Sequence, residues 1–276
     1  MSARAFFLPT ADGQRYCLFH PASGACRGAL LYLHPFAEEM HKSRRMAAVT
    51  ARALAAGGIA VLQLDLHGCG DSSGDFADAR WSVWKDDAAA ACAWLREHTG
   101  VNPGLWGLRL GALLALDIAR GAAPAPAHLL LWQPVTNGAQ FLTQFLRLRT
   151  AAAMLDGGAD GASTTAAARA ALAAGETLEV AGYLLAPALA AALEGLDGTP
   201  PPPAGIRVHW FEMVADAQRP LSPAAAALGG AWRGQGVDLT QKAVPGPAFW
   251  HTQEIHESAA LVAATVAACG EPTDAL

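Results

Sequence analysis

Two glycines bracket an arginine in the stretch Leu105-Trp106-Gly107-Leu108-Arg109-Leu110-Gly111-Ala112. A short apolar run enters the first glycine, and a helical pattern leaves the second. That order describes a strand, a tight turn and a helix. It constrains the fold because the same alternation recurs along the chain. Ala29 to Leu33, Ile59 to Leu64 and His128 to Gln133 are continuous apolar runs, as expected of strands covered on both faces. Between them lie amphipathic segments from Trp81 to Glu97 and from Leu110 to Arg120. Buried strand alternating with amphipathic helix predicts an α/β class, a mainly parallel sheet with helices on both faces.

Further elements extend this frame. Phe6-Phe7-Leu8 and Tyr16-Cys17-Leu18-Phe19 flank Asp12-Gly13, a hairpin signal. Ser43 is placed to cap a helix from Arg44 to Ala56, closed by Gly57-Gly58. The rhythm breaks between Thr136 and Asp197. There the alanine-rich segments Phe141 to Met154, Thr164 to Ala174 and Leu184 to Leu193 read as helices with no strand between them. We read residues 136–198 as a helical cap inserted into a core formed by 1–135 and 199–276. The run Pro200 to Pro203 is a stiff connector back to the sheet. Arg207 to Met213 and Asp238 to Ala243 read as the last strands, and Ile255 to Cys269 as the closing helix.

Composition narrows the function classes. A chain of 276 residues, 53% hydrophobic and 16% charged, carries ample core material for one domain with an insertion. Its formal net charge of −5 argues against a nucleic-acid binder. The arginines at 44–45 and 147–149 read as solvated surface or local ion pairs rather than as an anion site. Five scattered cysteines form no CxxC spacing, which suits a reducing compartment and points to no metal. No cofactor signature is present: Gly68-Cys69-Gly70-Asp71-Ser72 lacks the full GxGxxG and the phosphate-loop lysine, and reads as a tight turn. The apolar patch near the N-terminus is too short for a secretory signal, and Gly182 to Leu193, interrupted by Pro187, falls short of a membrane span. The expectation is a cytoplasmic protein with no integral membrane segment. The sequence names no protein partner.

Several stretches carry a family resemblance. They are Leu33-His34-Pro35-Phe36-Ala37-Glu38-Glu39-Met40 with Lys42-Ser43-Arg44-Arg45, and Asp65-Leu66-His67-Gly68-Cys69-Gly70-Asp71-Ser72-Ser73-Gly74. Trp132-Gln133-Pro134-Val135 and Gln144-Phe145-Leu146-Arg147-Leu148-Arg149 follow. Together they resemble the α/β-hydrolase fold, and most closely the exosortase A system-associated hydrolase 2 group. The resemblance runs over nearly the whole chain, more weakly after Leu155. It implies a bacterial setting tied to exopolysaccharide production and envelope sorting, and supplies no substrate.

In that fold the corner near position 109 carries Gly-x-Ser-x-Gly, with serine as nucleophile. Here Arg109 stands in its place, and a guanidinium that stays protonated cannot attack a carbonyl. The resemblance supplies the other roles as expectations. The His34-Pro35-Phe36 turn would help form an oxyanion hole, unless His34 merely bonds neighbouring backbone and shapes the turn. Leu108 and Leu110 would flank the pocket beside Arg109. Asp216, after the penultimate strand, fits the acid position, or forms a surface pair with Arg219. For the base two registers are open: Phe249 occupies the histidine position and the base is lost, or His251 reaches the site. His256 reads as helix surface, and Cys69 as a replacement nucleophile only if an electropositive neighbour lowers its pKa.

Two functions fit these residues. In the first, serine catalysis is lost and Arg109 fixes a positive charge in a pocket for a small acidic ligand, a carboxylate or phosphate. Internal neutralisation by Glu38, Glu39 or Asp216 would compete with such a ligand. In the second, His251 or Asp216 activates water directly, giving a serine-independent esterase, acyl hydrolase or transferase.

Overall fold

The computed structural model describes residues 2–155 and 164–270. An eight-stranded sheet forms its centre. The strands are β1 (Arg4–Thr10), β2 (Gly13–His20), β3 (Gly28–Leu33), β4 (Ile59–Leu64), β5 (Gly104–Leu108), β6 (His128–Trp132), β9 (Arg207–Val214) and β10 (Leu239–Pro245). A separate hairpin pairs β7 (Leu178–Val180) with β8 (Tyr183–Leu185). The sheet order is β1-β2-β4-β3-β5-β6-β9-β10. The pairs β1/β2 and β2/β4 are antiparallel, and every pair from β4 to β10 is parallel.

Helices α1 (Glu38–Ala56), α2 (Trp81–Thr99), α3 (Leu110–Gly121), α7 (Pro223–Gly234) and α8 (Ala259–Gly270) cover the two faces. The alternation of strand side chains sets the division. Leu31 and Leu33 of β3 join a cluster with Leu95 of α2, Leu114 of α3 and Trp232 of α7. Leu30 and Tyr32, one residue out of phase, join Met46 of α1 and Leu261 of α8 on the other face. The sheet is therefore buried on both sides, as the apolar runs required.

Chain direction reverses at the middle of this sheet. From β3 the chain crosses to β4 on one side, then returns across β3 to β5 and continues the other way. The C-terminal ends of β3 and β5 thus stand side by side at a topological switch point, the crevice where open α/β sheets bind ligands. The loop after β3 and the Arg109 turn both open there.

Four expectations need correction. Ser43 lies inside α1, which begins at Glu38, and its hydroxyl donates back to the Glu39 and Met40 carbonyls. Between β6 and β9 the chain forms α4 (Gly138–Leu155), α5 (Thr165–Ala173) and α6 (Pro187–Gly195), but the β7/β8 hairpin interrupts them. Tyr183 to Leu185 is strand, and the helix starts at Pro187, where the fixed proline φ suits a first turn. Helix α7, with Ser222 accepting from the Ala225 N–H as its cap, was not anticipated. The closing helix starts at Ala259, three residues before which the chain is still loop. The two ends of the 136–198 segment meet: Asn137 and Asp197 form an antiparallel bridge, and the Gly198 N–H donates to the Thr136 carbonyl.

One buried group makes the fold acid-sensitive. Burial, then the nearby His209 and Arg207, pushes the His128 imidazole down to about 4. The unfolded chain binds a proton near pH 6.5 that the folded state refuses until about pH 4. The stability present above pH 6.5 is thus lost as pH falls through that window. Urea unfolding from pH 7 to 4 should show roughly 2–3 kcal/mol of loss attributable to this group. His128→Gln should flatten that part of the profile, and an unchanged slope in the variant would contradict the assignment.

Candidate functional site

The site grows from two strained turns. Arg109, between β5 and α3, has φ 55° and ψ −115°, and Ala37, between β3 and α1, has φ 51° and ψ −126°. Such conformations persist only where surrounding structure over-determines them. The two glycines supply the close approach around Arg109. A Cβ on Gly111 would lie 2.2 Å from the Leu33 carbonyl oxygen, and one on Gly107 would lie 2.3 Å from the Gly111 carbonyl oxygen. The Arg109 N–H donates to the Trp132 carbonyl of the neighbouring strand, and its own carbonyl accepts from Ala112 and Val135. The backbone is a strained strand-to-helix turn, and it carries a guanidinium.

That guanidinium is held from two sides. Its Nε donates to Glu39 Oε1 at 3.3 Å, and its Cζ lies 5.6 Å from the Trp250 ring centroid. Glu39 Oε1 also faces His251 Nε2 at 3.2 Å. One carboxylate oxygen therefore bridges Arg109 and His251. Glu39 Oε2 is buried and, among the described residues, has no hydrogen-bond partner. Burial raises the Glu39 pKa against the lowering pull of Arg109. Burial, then Arg109, lowers the His251 pKa, which favours the neutral imidazole.

These groups form one end of a cavity of about 320 Å³. Its walls are mainly apolar, with Phe36, Phe141, Phe145, Leu148 and Trp250 among them. Phe36 packs edge-on against both Phe141 and Phe145, so helix α4 and the β3 loop share one wall. No serine, threonine or cysteine is among the described lining residues. Arg109 also borders a second cavity of about 140 Å³ with Asn137, Gln140 and Gln144.

The predicted residues separate into those brought together and those not. Arg109, Phe36 and His251 share the cavity. Phe249 is fully buried and packs on Trp132 and Trp250, so of the two candidates His251 reaches the cavity, together with Trp250. Leu110 opens α3 beside Arg109, and Leu108 points into the opposite core. His34 holds its turn: Nδ1 lies 2.7 Å from the Pro35 carbonyl and Nε2 accepts from the Leu66 N–H. Asp216 is exposed, accepts from the Gln218 N–H in its own loop, and pairs with Arg219 at 3.7 Å. The carboxylate that meets His251 belongs to Glu39. Cys69 is buried, and burial raises its thiol, opposite to what a reactive cysteine needs. Trp250 escaped the sequence reading, although its place beside His251 was a usable signal. Among the described residues no cluster of His, Cys, Asp and Glu could hold a metal. No helix among them is long and apolar enough to cross a membrane.

Comparison with known proteins supports the architecture. No protein-family model matches the chain. Est1E from Butyrivibrio proteoclasticus, solved with ferulic acid bound, superimposes with TM-score 0.66 at 14% identity, covering 96% of each chain. XC6422 from Xanthomonas campestris, described as an α/β serine hydrolase without lid, gives TM-score 0.53 at 16% identity over 97% of this chain and 91% of its own. This chain has the α/β-hydrolase fold. Protein ABHD12B of Homo sapiens is 32% identical over 111 residues, a segment spanning 40% of this chain but only 29% of that protein.

The Glu39 bridge yields a stability test. Arg109→Met would leave a buried carboxylate uncompensated and should cost about 2 kcal/mol in urea unfolding. Adding Glu39→Gln should recover roughly half of that loss. Equal loss in single and double variants would show that the pair is not the source.

Proposed function

We propose that this chain is an α/β-hydrolase-fold protein that has lost serine catalysis and uses the elbow cavity to bind a small acidic ligand. The observation that carries this reading is Arg109 itself, a permanent cation in the elbow conformation at the end of an apolar cavity without a hydroxyl or thiol nucleophile. Arg109 immediately precedes the N-terminus of α3, whose dipole favours an anion. Glu39 holds the guanidinium through Nε at 3.3 Å, and among the described residues neither Nη donates to a protein acceptor. The remaining donors suit a carboxylate or phosphate.

The quoted stretches support membership of the exosortase A system-associated hydrolase 2 group, hence a bacterial exopolysaccharide and envelope-sorting setting. Residues 136–198 would serve there as the cap over the cavity, since α4 supplies part of its wall. A second reading is favoured by one contact, Glu39 Oε1 to His251 Nε2 at 3.2 Å. With Glu39 rather than Asp216 as its orienting acid, His251 would activate water on an ester without an acyl-enzyme.

Hydrolysis of p-nitrophenyl acetate and butyrate separates the readings. The wild type is expected to be silent and to resist fluorophosphonate labelling. Arg109→Ser should gain slow turnover that disappears when His251→Ala is added, because the oxyanion donors and base would then have a nucleophile. Wild-type turnover abolished by His251→Ala would overturn the binding function in favour of water activation.

A further inference from the structure

The cavity has a charge problem that specifies its ligand. Glu39 already sits against Arg109, with both side chains largely buried at 11% and 16% exposure. A ligand carboxylate on the same guanidinium would place two negative charges on one cation beside apolar walls. Like charges that close in a poorly solvated site do not both stay ionised, and one of them takes a proton. Other charged groups do not relieve this. His251 is the only other titratable side chain in contact with Glu39 among the described residues. On the same helix Lys42 and Glu38 also line the cavity, but Lys42 donates to the Gln253 carbonyl at 3.2 Å and lies 3.8 Å from Glu38, which accepts from the Tyr183 hydroxyl of the β7/β8 hairpin.

The apolar part is equally specific. Phe36, Phe141, Phe145 and Leu148 line a volume of about 320 Å³, too apolar for a phosphosugar and of a size for a medium acyl chain or a phenylpropanoid. Among the described residues, Arg109 stands at the polar end with both Nη groups uncommitted, and Glu39 Oε2 is buried there without a hydrogen-bond partner.

We infer that the cavity binds an apolar-tailed monocarboxylic acid together with one proton: the ligand carboxylate on the Arg109 Nη groups, the proton on Glu39. Beside the Lys42–Glu38 pair, which also lines the cavity, the bound state then holds one cation and one anion, as Arg109 and Glu39 do in the empty site. No bond is made or broken beyond the O–H of Glu39, and the proton comes from solvent. This inference rests on the binding function proposed above and adds the class of ligand and its proton linkage.

Isothermal titration of octanoate and of 3-phenylpropanoate into the full-length wild type tests it, with octan-1-ol as the neutral probe. Paired buffers of different ionisation heat at pH 7.5 report proton uptake. The expected result is uptake approaching one proton per carboxylate, with affinity rising as pH is lowered toward 6. Arg109→Gln should weaken carboxylate binding on the order of tenfold or more while leaving octan-1-ol unchanged. Glu39→Gln should keep carboxylate affinity and abolish the uptake, whereas His251→Gln should retain it. Uptake lost in His251→Gln but kept in Glu39→Gln would overturn the assignment to Glu39. Octan-1-ol binding as tightly as octanoate, or no binding of either acid, would overturn the ligand class. Fluorophosphonate labelling or ester turnover by the same wild-type sample would instead indict the binding function itself, so the two failures are distinguishable.

Discussion

A single carboxylate oxygen organises the functional end of this molecule. Glu39 Oε1 touches Arg109 Nε and His251 Nε2, joining the start of α1, the turn before α3 and the loop after β10. These three segments come from opposite thirds of the sequence, and the sheet order brings them to one crevice. Trp250 closes the arrangement by covering the guanidinium. Removing Arg109 or Glu39 leaves the other as a largely buried charge without its partner, which is why the pair is a structural constraint as well as part of a site.

The same cluster explains how the fold accommodates an arginine in the turn between β5 and α3. The turn demands positive φ and tight glycine contacts, which depend on backbone and not on the central side chain. A long cation at that point must find a counter-charge or reach water. Here it does both in part, pairing with Glu39 through Nε and bordering two cavities with its remainder. A serine hydroxyl would need orientation by a base. Arginine instead needs neutralisation, and Glu39 supplies it on the helix that follows the β3 loop.

Much of the scaffold was legible because hydrophobic patterning is local. The runs Ile59 to Leu64 and Ala29 to Leu33 became β4 and β3 with boundaries shifted by at most one residue. The missed elements are those whose local signal is poor. The three-residue strands β7 and β8 are too short to show a period, and α7 carries paired glycines in its interior, which weaken a helical signal. Ser43 fitted a cap by residue type, yet α1 extends a further turn because the strained Ala37 turn starts it earlier.

By itself the sequence determined the class of fold and the strand, tight turn and helix around Arg109, since these follow from hydrophobic period and glycine placement. It left open which carboxylate neutralises Arg109, and whether His251 or Phe249 reaches the cavity. Only the tertiary structure decided those points, seating Phe249 in the core against Trp132, leaving Asp216 on an exposed loop and turning Glu39 inward. The physical reason is distance along the chain. Residues 39, 109 and 251 carry no local pattern that links them, and their pairing exists only because parallel strands end together at the switch point between β3 and β5.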